Sequence, residues 1–166
     1  MMFLRCFLFL LLSFQLSAQI NKDSLTIEGI TNYSKSFKIR RVFGTPNDTF
    51  QLDYDCGFLS SQWQGEKFWC LQYEGVRFAG NQKFGYVIEK IDSTHIDSFE
   101  IDFYNIPLGT EIDENDLNKI LFNCFKRYYV ILPGEGTIIG FKNADDGVIF
   151  LFKNKKLVGV EYFSPC

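Results

Sequence analysis

The sequence predicts an α+β protein of two tandem helix-plus-antiparallel-sheet units, and three observations carry that expectation. The first is an internal echo: residues 147–163 read GVIFLFKNKKLVGVEYF, and residues 75–91 read GVRFAGNQKFGYVIEKI. Each opens on Gly-Val, turns through an Asn that leads a Lys-containing stretch (Asn81 to Lys83, Asn154 to Lys156) and returns on an apolar strand with an inner Gly, as a β-hairpin does. The second is a helix signal after Asp113, where Leu117, Ile120, Leu121, Cys124 and Phe125 recur at spacings of three and four and so line one face. The third is residues 95–104, in which Phe99, Ile101 and Phe103 alternate with Ser98, Glu100 and Asp102, the period of a half-buried strand.

In chain order, residues 1–18 are a signal peptide. Arg5 supplies the positive start, Cys6 to Leu12 an unbroken apolar run, and Leu16-Ser17-Ala18 a small residue at the cut. The run is shorter than the ~20 apolar residues of a spanning helix, and Ser13 and Gln15 interrupt it. The remainder, 19–166, is expected to be a single mature domain made of two repeats, at about 25–104 and 105–166. Leu25, Ile27 and Ile30 mark a first strand. Thr31 or Ser34 is placed to cap a helix over 35–43, with Phe37, Val42 and Phe43 turned inward, and Gly44 and Pro46 stop it. An extended piece at 49–52 and a polar loop at 57–65, which carries Trp63, lead into a meander of strands at 67–73, 76–79, 84–91 and 95–104.

The second repeat opens with the helix after Asp113. Asp113, Glu114 and Asp116 place negative charge at its start, and Lys126 and Arg127 place positive charge near its end, as the helix dipole favours. Strands at 128–132, 137–142, 148–152 and 157–163 follow. This order of Gly-Thr, capped helix, terminal Phe, strands and a final Gly-Val hairpin resembles the BamE-like and β-lactamase-inhibitor-protein-like family of envelope and secreted domains. The likeness spans nearly the whole chain after residue 18. It rests on Gly29-Ile30-Thr31 and Phe43-Gly44-Thr45-Pro46 in the first unit and Leu108-Gly109-Thr110 in the second, which has Phe122-Asn123 where the first has Phe43-Gly44-Thr45-Pro46. The resemblance implies a binding module for outer-membrane assembly or enzyme inhibition, with no active site and no functional residue to carry over.

A net charge of −3, made more acidic by loss of Arg5, and the absence of a long Lys/Arg run argue against a nucleic-acid or anionic-membrane partner. Beyond Cys6 the cysteines are Cys56, Cys70, Cys124 and Cys166, an even set in an exported chain. Three pairings are open. The duplication selects Cys56 with Cys70 and Cys124 with Cys166, against the alternative of free buried thiols.

No motif reaches the standard of a catalytic site. His95 is the single histidine, which leaves no zinc-ligand set, and Asp92 and Asp97 flank it in what reads as a strand edge. Asp145-Asp146-Gly147 lacks the spaced acids of a calcium loop and reads as a tight turn. Glycines 134, 136 and 140 lack the Gly-Lys-Ser/Thr ending of a phosphate loop. Asp113, Glu114 and Asp116 form the one carboxylate group open to a hydrolase reading, and they double as caps.

The expectation is therefore an exported, periplasmic or secreted, non-catalytic interaction protein without cofactor or metal. Its partner is a protein. The alternative is a hydrolase with an unrecognised carboxylate site. Aromatics make up 17% of the chain; most must fill the core, and because aromatics are also enriched at interfaces, Trp63, Trp69 and Tyr73 are candidate contact residues that sequence alone does not sort from core. Residues 148–152 and 67–73 are apolar on both sides, so one sheet face should be covered by something other than the two expected helices.

Overall fold

The computed structural model describes residues 25–55, 57–101, 104–112, 117, 129–131, 136–140 and 147–164. The chain forms β1 (Leu25–Ile27), β2 (Ile30–Thr31), α1 (Ser36–Phe43), β3 (Asp48–Leu52), α2 (Ser61–Gln64), β4 (Phe68–Tyr73), β5 (Val76–Asn81), β6 (Gly85–Asp92), β7 (Ser98–Ile101) and β8 (Tyr104–Pro107). After these come β9 (Tyr129–Ile131), β10 (Gly136–Gly140), β11 (Gly147–Lys153) and β12 (Lys156–Phe163). Pairing is antiparallel throughout. One sheet has four strands in the order β2-β1-β7-β8, and the other has eight in the order β3-β4-β5-β6-β12-β11-β10-β9.

This overturns the α+β expectation. The described residues are mostly β, and among them a second sheet, together with α1, packs on the inner face of the large sheet. The reason lies in β1, β7 and β8. Leu25, Ile27, Phe99, Ile101 and Ile106 are each at most 1% exposed, and they present an apolar face that a sheet can lay against another sheet as readily as a helix can. β7, expected to extend the meander, pairs with β1 and β8 instead, and its Phe99 meets Phe150 of β11 across the core at 6.0 Å between ring centroids. Its alternation is as the sequence reads, with Phe99 and Ile101 buried and Glu100 exposed. The second expected helix lies outside the described residues except for Leu117, which is helical and buried in the core.

α1 is the one helix of more than a turn among the described residues. Its buried side is Ser36 and Ile39, continued by Phe43, whose ring packs on Tyr73 and Phe78 at 5.5 and 5.4 Å. Burying Ile39 completely contributes about 2 kcal/mol. Phe37 and Val42, expected inward, are 65% and 46% exposed. The spacing of three and four selects Ser36, Ile39 and Phe43, and it turns the bulkier Phe37 outward. Neither Thr31 nor Ser34 caps the helix: Lys35 occupies that position without a side-chain cap. Gly44 stops it as expected, with φ 79° and its N–H donated to the Arg40 carbonyl.

The two hairpins that echo in sequence, β5–β6 and β11–β12, are neighbours in the large sheet. They join where Gly159, Val160 and Glu161 of β12 face Asp92, Ile91 and Lys90 of β6. At its other end β6 is held by the segment before α1, through Tyr86 N–H to the Ser34 carbonyl at 2.9 Å and Ile88 N–H to Asn32 Oδ1 at 2.8 Å. The outer face of β3–β6 carries a second apolar cluster of Leu59, Phe68, Ala79 and Val87, flanked by Tyr33, Leu52, Phe58, Phe84 and Tyr162. Leu59 and Phe58 come from the loop before α2, which lies across that face and donates the Phe58 N–H to Ser164 Oγ at 3.3 Å.

Candidate functional site

The chemistry-bearing part of the molecule is built by an irregularity in β6. Its register with β5 passes from Arg77 opposite Lys90 to Phe78 opposite Ile88, so Glu89 has no partner across the ladder. A bulge of this kind re-aims a side chain. Arg77 Nη2 donates to Glu89 Oε1 at 2.8 Å, the Tyr54 hydroxyl donates to the same oxygen at 2.9 Å, and Arg77 Nε stands 2.7 Å from Oε2 as an ion pair. The Glu89 side chain is 12% exposed, and its Oε2 and the facing Arg77 Nε are buried with no hydrogen-bond partner among the described residues, so that half of the pair is held by charge alone. Beside it lies a pocket of about 160 Å³ lined by Tyr54, Leu59, Glu89, Tyr162, Phe163 and Ser164.

Two groups around the pocket are held in their neutral forms. Burial, and then the neighbouring Glu89 carboxylate, push the Tyr54 phenol well above its ordinary range, so it stays a donor at neutral pH. Cys70 of β4 is pushed up to about 11 by burial and, next, by Glu89, so its sulfur is a thiol and a poor nucleophile. Glu89 already accepts from Arg77 and Tyr54, and no second carboxylate lines the pocket among the described residues. A pair of carboxylates is what glycoside hydrolysis requires.

The residues singled out from the sequence disperse. Trp69 of β4 faces Gly80 of β5 and Gln51 of β3 in the registers and is 39% exposed. Tyr73 is 4% exposed. Its ring packs on Phe43 and Phe78, and its hydroxyl reaches the Gly44 carbonyl at 3.3 Å, so it fastens α1 to the sheet and offers no contact surface. Trp63 belongs to α2, and its side chain is outside the described residues, as are Cys56, Cys124, Cys166, Asp113, Glu114, Asp116, Asp145 and Asp146. Cys70 is a free buried thiol. His95 lies 3.6 Å from Glu74 and 3.2 Å from Thr94 Oγ1, away from the pocket. Among the described residues no group of three His, Cys, Asp or Glu side chains is placed to hold a metal.

Sequence reasoning missed Tyr54, Arg77 and Glu89. One signal was present: Ile88 and Ile91 are both buried with two polar residues between them, which breaks the period of two and marks the bulge. The other unanticipated feature is the free end of the large sheet. β3 is an edge strand exposed at four of its five positions, and Phe50, Tyr54 and Trp69 around it are 38%, 37% and 39% exposed. Comparison of the chain with family models, with curated proteins and with solved structures finds no match.

Proposed function

We propose that this chain is an exported, non-catalytic interaction protein, of the assembly-factor, inhibitor or immunity type, that holds a partner protein at the β3–β4 end of its large sheet. The observation that carries the reading is an open sheet edge with part-exposed aromatics on both of its faces, since Phe50 shares a face with Cys70 and Trp69 lies on the other. Phe50 belongs to β3 and Trp69 to β4, Tyr54 follows β3, and the outer edge of β3 pairs with no strand among the described residues. Aromatic side chains are the usual anchors of protein interfaces, and an unpaired strand edge is a template for another chain. The resemblance to BamE-like and β-lactamase-inhibitor-protein-like domains points to the same class of activity. Residues 1–18, as a signal peptide, would deliver the protein to the periplasm or beyond, where a Cys124–Cys166 bridge would form; Cys70 is a free buried thiol and does not make the pairing expected with Cys56.

The test is affinity capture from the envelope fraction, run in parallel with the unmodified protein and with a Phe50→Ser, Trp69→Ser double variant of unchanged thermal stability. A protein that is retained by the first, lost by the second and re-bound in a purified mixture supports the proposal. Identical captures from both baits would remove the β3–β4 end as the contact. Non-reducing peptide mapping of the exported protein checks the Cys124–Cys166 bridge, and free thiols at both positions would overturn it.

A further inference from the structure

We infer that the outward face of α1 is a second docking surface, one that takes an acidic segment of a partner protein. In a chain of net charge −3, no Asp or Glu occurs between Glu28 and Asp48, and Lys35, Lys38, Arg40 and Arg41 all fall in that interval. Two of these cations have work within the fold. Lys35 Nζ donates to the Gln82 and Lys83 carbonyls at 2.9 and 3.2 Å, and Arg40 lies near the buried Tyr73 and Tyr86 rings. Lys38 and Arg41 are exposed and make no ion pair or hydrogen bond among the described residues. Beside them stand Phe37 and Val42, 65% and 46% exposed, and Phe37 is the most exposed large apolar side chain described.

The helix dipole explains cations in the last turn, where Arg40 and Arg41 sit, but it does not explain Lys38 in mid-helix or a Phe turned to water. The order of these residues around the helix decides the partner. At about 100° per residue, Phe37, Arg41, Lys38 and Val42 follow one another over an arc of about 140°, opposite the buried Ser36, Ile39 and Phe43. The two cations are at the centre of the arc and the two apolar groups at its rims. A helix that lies in a membrane surface has the reverse order, apolar in the middle and cationic at the flanks. Cations within an apolar rim suit carboxylates, because the rim excludes water and strengthens the charge-assisted hydrogen bonds it surrounds. The surface does not depend on the β3–β4 end, and either can fail without the other.

The experiment uses the purified protein at low ionic strength with two probes: a fluorescent peptide rich in glutamate with two leucines, and vesicles of phosphatidylglycerol. Peptide binding by anisotropy is expected to weaken about tenfold in a Lys38→Glu, Arg41→Glu variant and severalfold in Phe37→Ser, and to fade as salt is raised. Amide shift mapping on the unmodified protein serves as a readout that needs no variant, and the shifts should centre on residues 35–43. Shifts centred elsewhere, peptide affinity indifferent to the substitutions, or binding to the vesicles alone would each overturn the inference.

Discussion

At Gly85 the backbone has φ 91°, and an added Cβ would stand 2.2 Å from the Tyr33 carbonyl oxygen, because the segment before α1 presses directly against the start of β6. At Gly29 the angle is similar, 73°, but nothing lies within 4 Å of that Cβ position. The two glycines separate backbone preference from close approach. Gly29→Ala should cost only the left-handed penalty, about 1 kcal/mol, whereas Gly85→Ala should cost about 3 kcal/mol or more, since backbone must move. Urea denaturation of both variants reads the difference directly, and equal losses would mean that the Tyr33 contact is not rigid. Neither role was legible locally: the sequence shows a glycine between Phe84 and Tyr86, and only the returning chain makes it obligatory.

The two hairpins look alike in sequence and turn by different means. In β11–β12 the turn residues Asn154 and Lys155 have φ 53° and 62°, the pair of left-handed residues of a type I′ turn, which twists as the strands do. In β5–β6 the Asn81 side chain makes the turn, with Oδ1 accepting from the Lys83 and Phe84 N–H groups at 3.0 and 2.9 Å, while Lys83 reaches Glu66 at 2.6 Å. Lys155→Gly should therefore stabilise the protein by about 1 kcal/mol by removing a side chain from a left-handed position. Lys83→Gly should destabilise it modestly, through a lost ion pair and added freedom in the unfolded chain. Thermal melts that moved in the same direction for both would contradict this assignment of turn types. The Asn that leads each turn was visible from the start; its two different uses depend on how many residues separate the paired strands.

Across the whole molecule, the two four-stranded meanders of the large sheet are joined by the short register at Gly159, Val160 and Glu161, supported by Lys90 Nζ to Glu161 Oε1 at 2.7 Å. Gly159 sits on that seam, and a Cβ there would approach the Ile91 carbonyl oxygen to 2.6 Å. Gly159→Val should cost about 2 to 4 kcal/mol and loosen the seam before either meander. Both tryptophans, Trp63 and Trp69, lie in the first meander's stretch of chain. Their fluorescence and far-ultraviolet circular dichroism should coincide through urea unfolding of the unmodified protein and separate in Gly159→Val. A variant in which both signals still coincide would show that the small sheet, and not the seam, couples the two halves.

Local periodicity alone determined much of the strand and turn layout: the alternation of β7, the apolar strands of both hairpins, the helix that ends at Gly44 and the turns at Asn81 and Asn154. These follow from which side chains can share a face and which residues tolerate a turn, and both properties are written within a few positions of one another. What covers the large sheet is not so written. An apolar face such as that of Phe99 and Ile101 is satisfied equally by a helix or by a second sheet, and the choice fell to β1, more than seventy residues earlier in the chain, which pairs Leu25 with Ile101. The pocket is likewise tertiary. Glu89 is tolerable on a strand only because Arg77 from β5 and Tyr54 from beyond β3 converge on it, and burying a carboxylate costs more than any local preference can offset until its partners arrive.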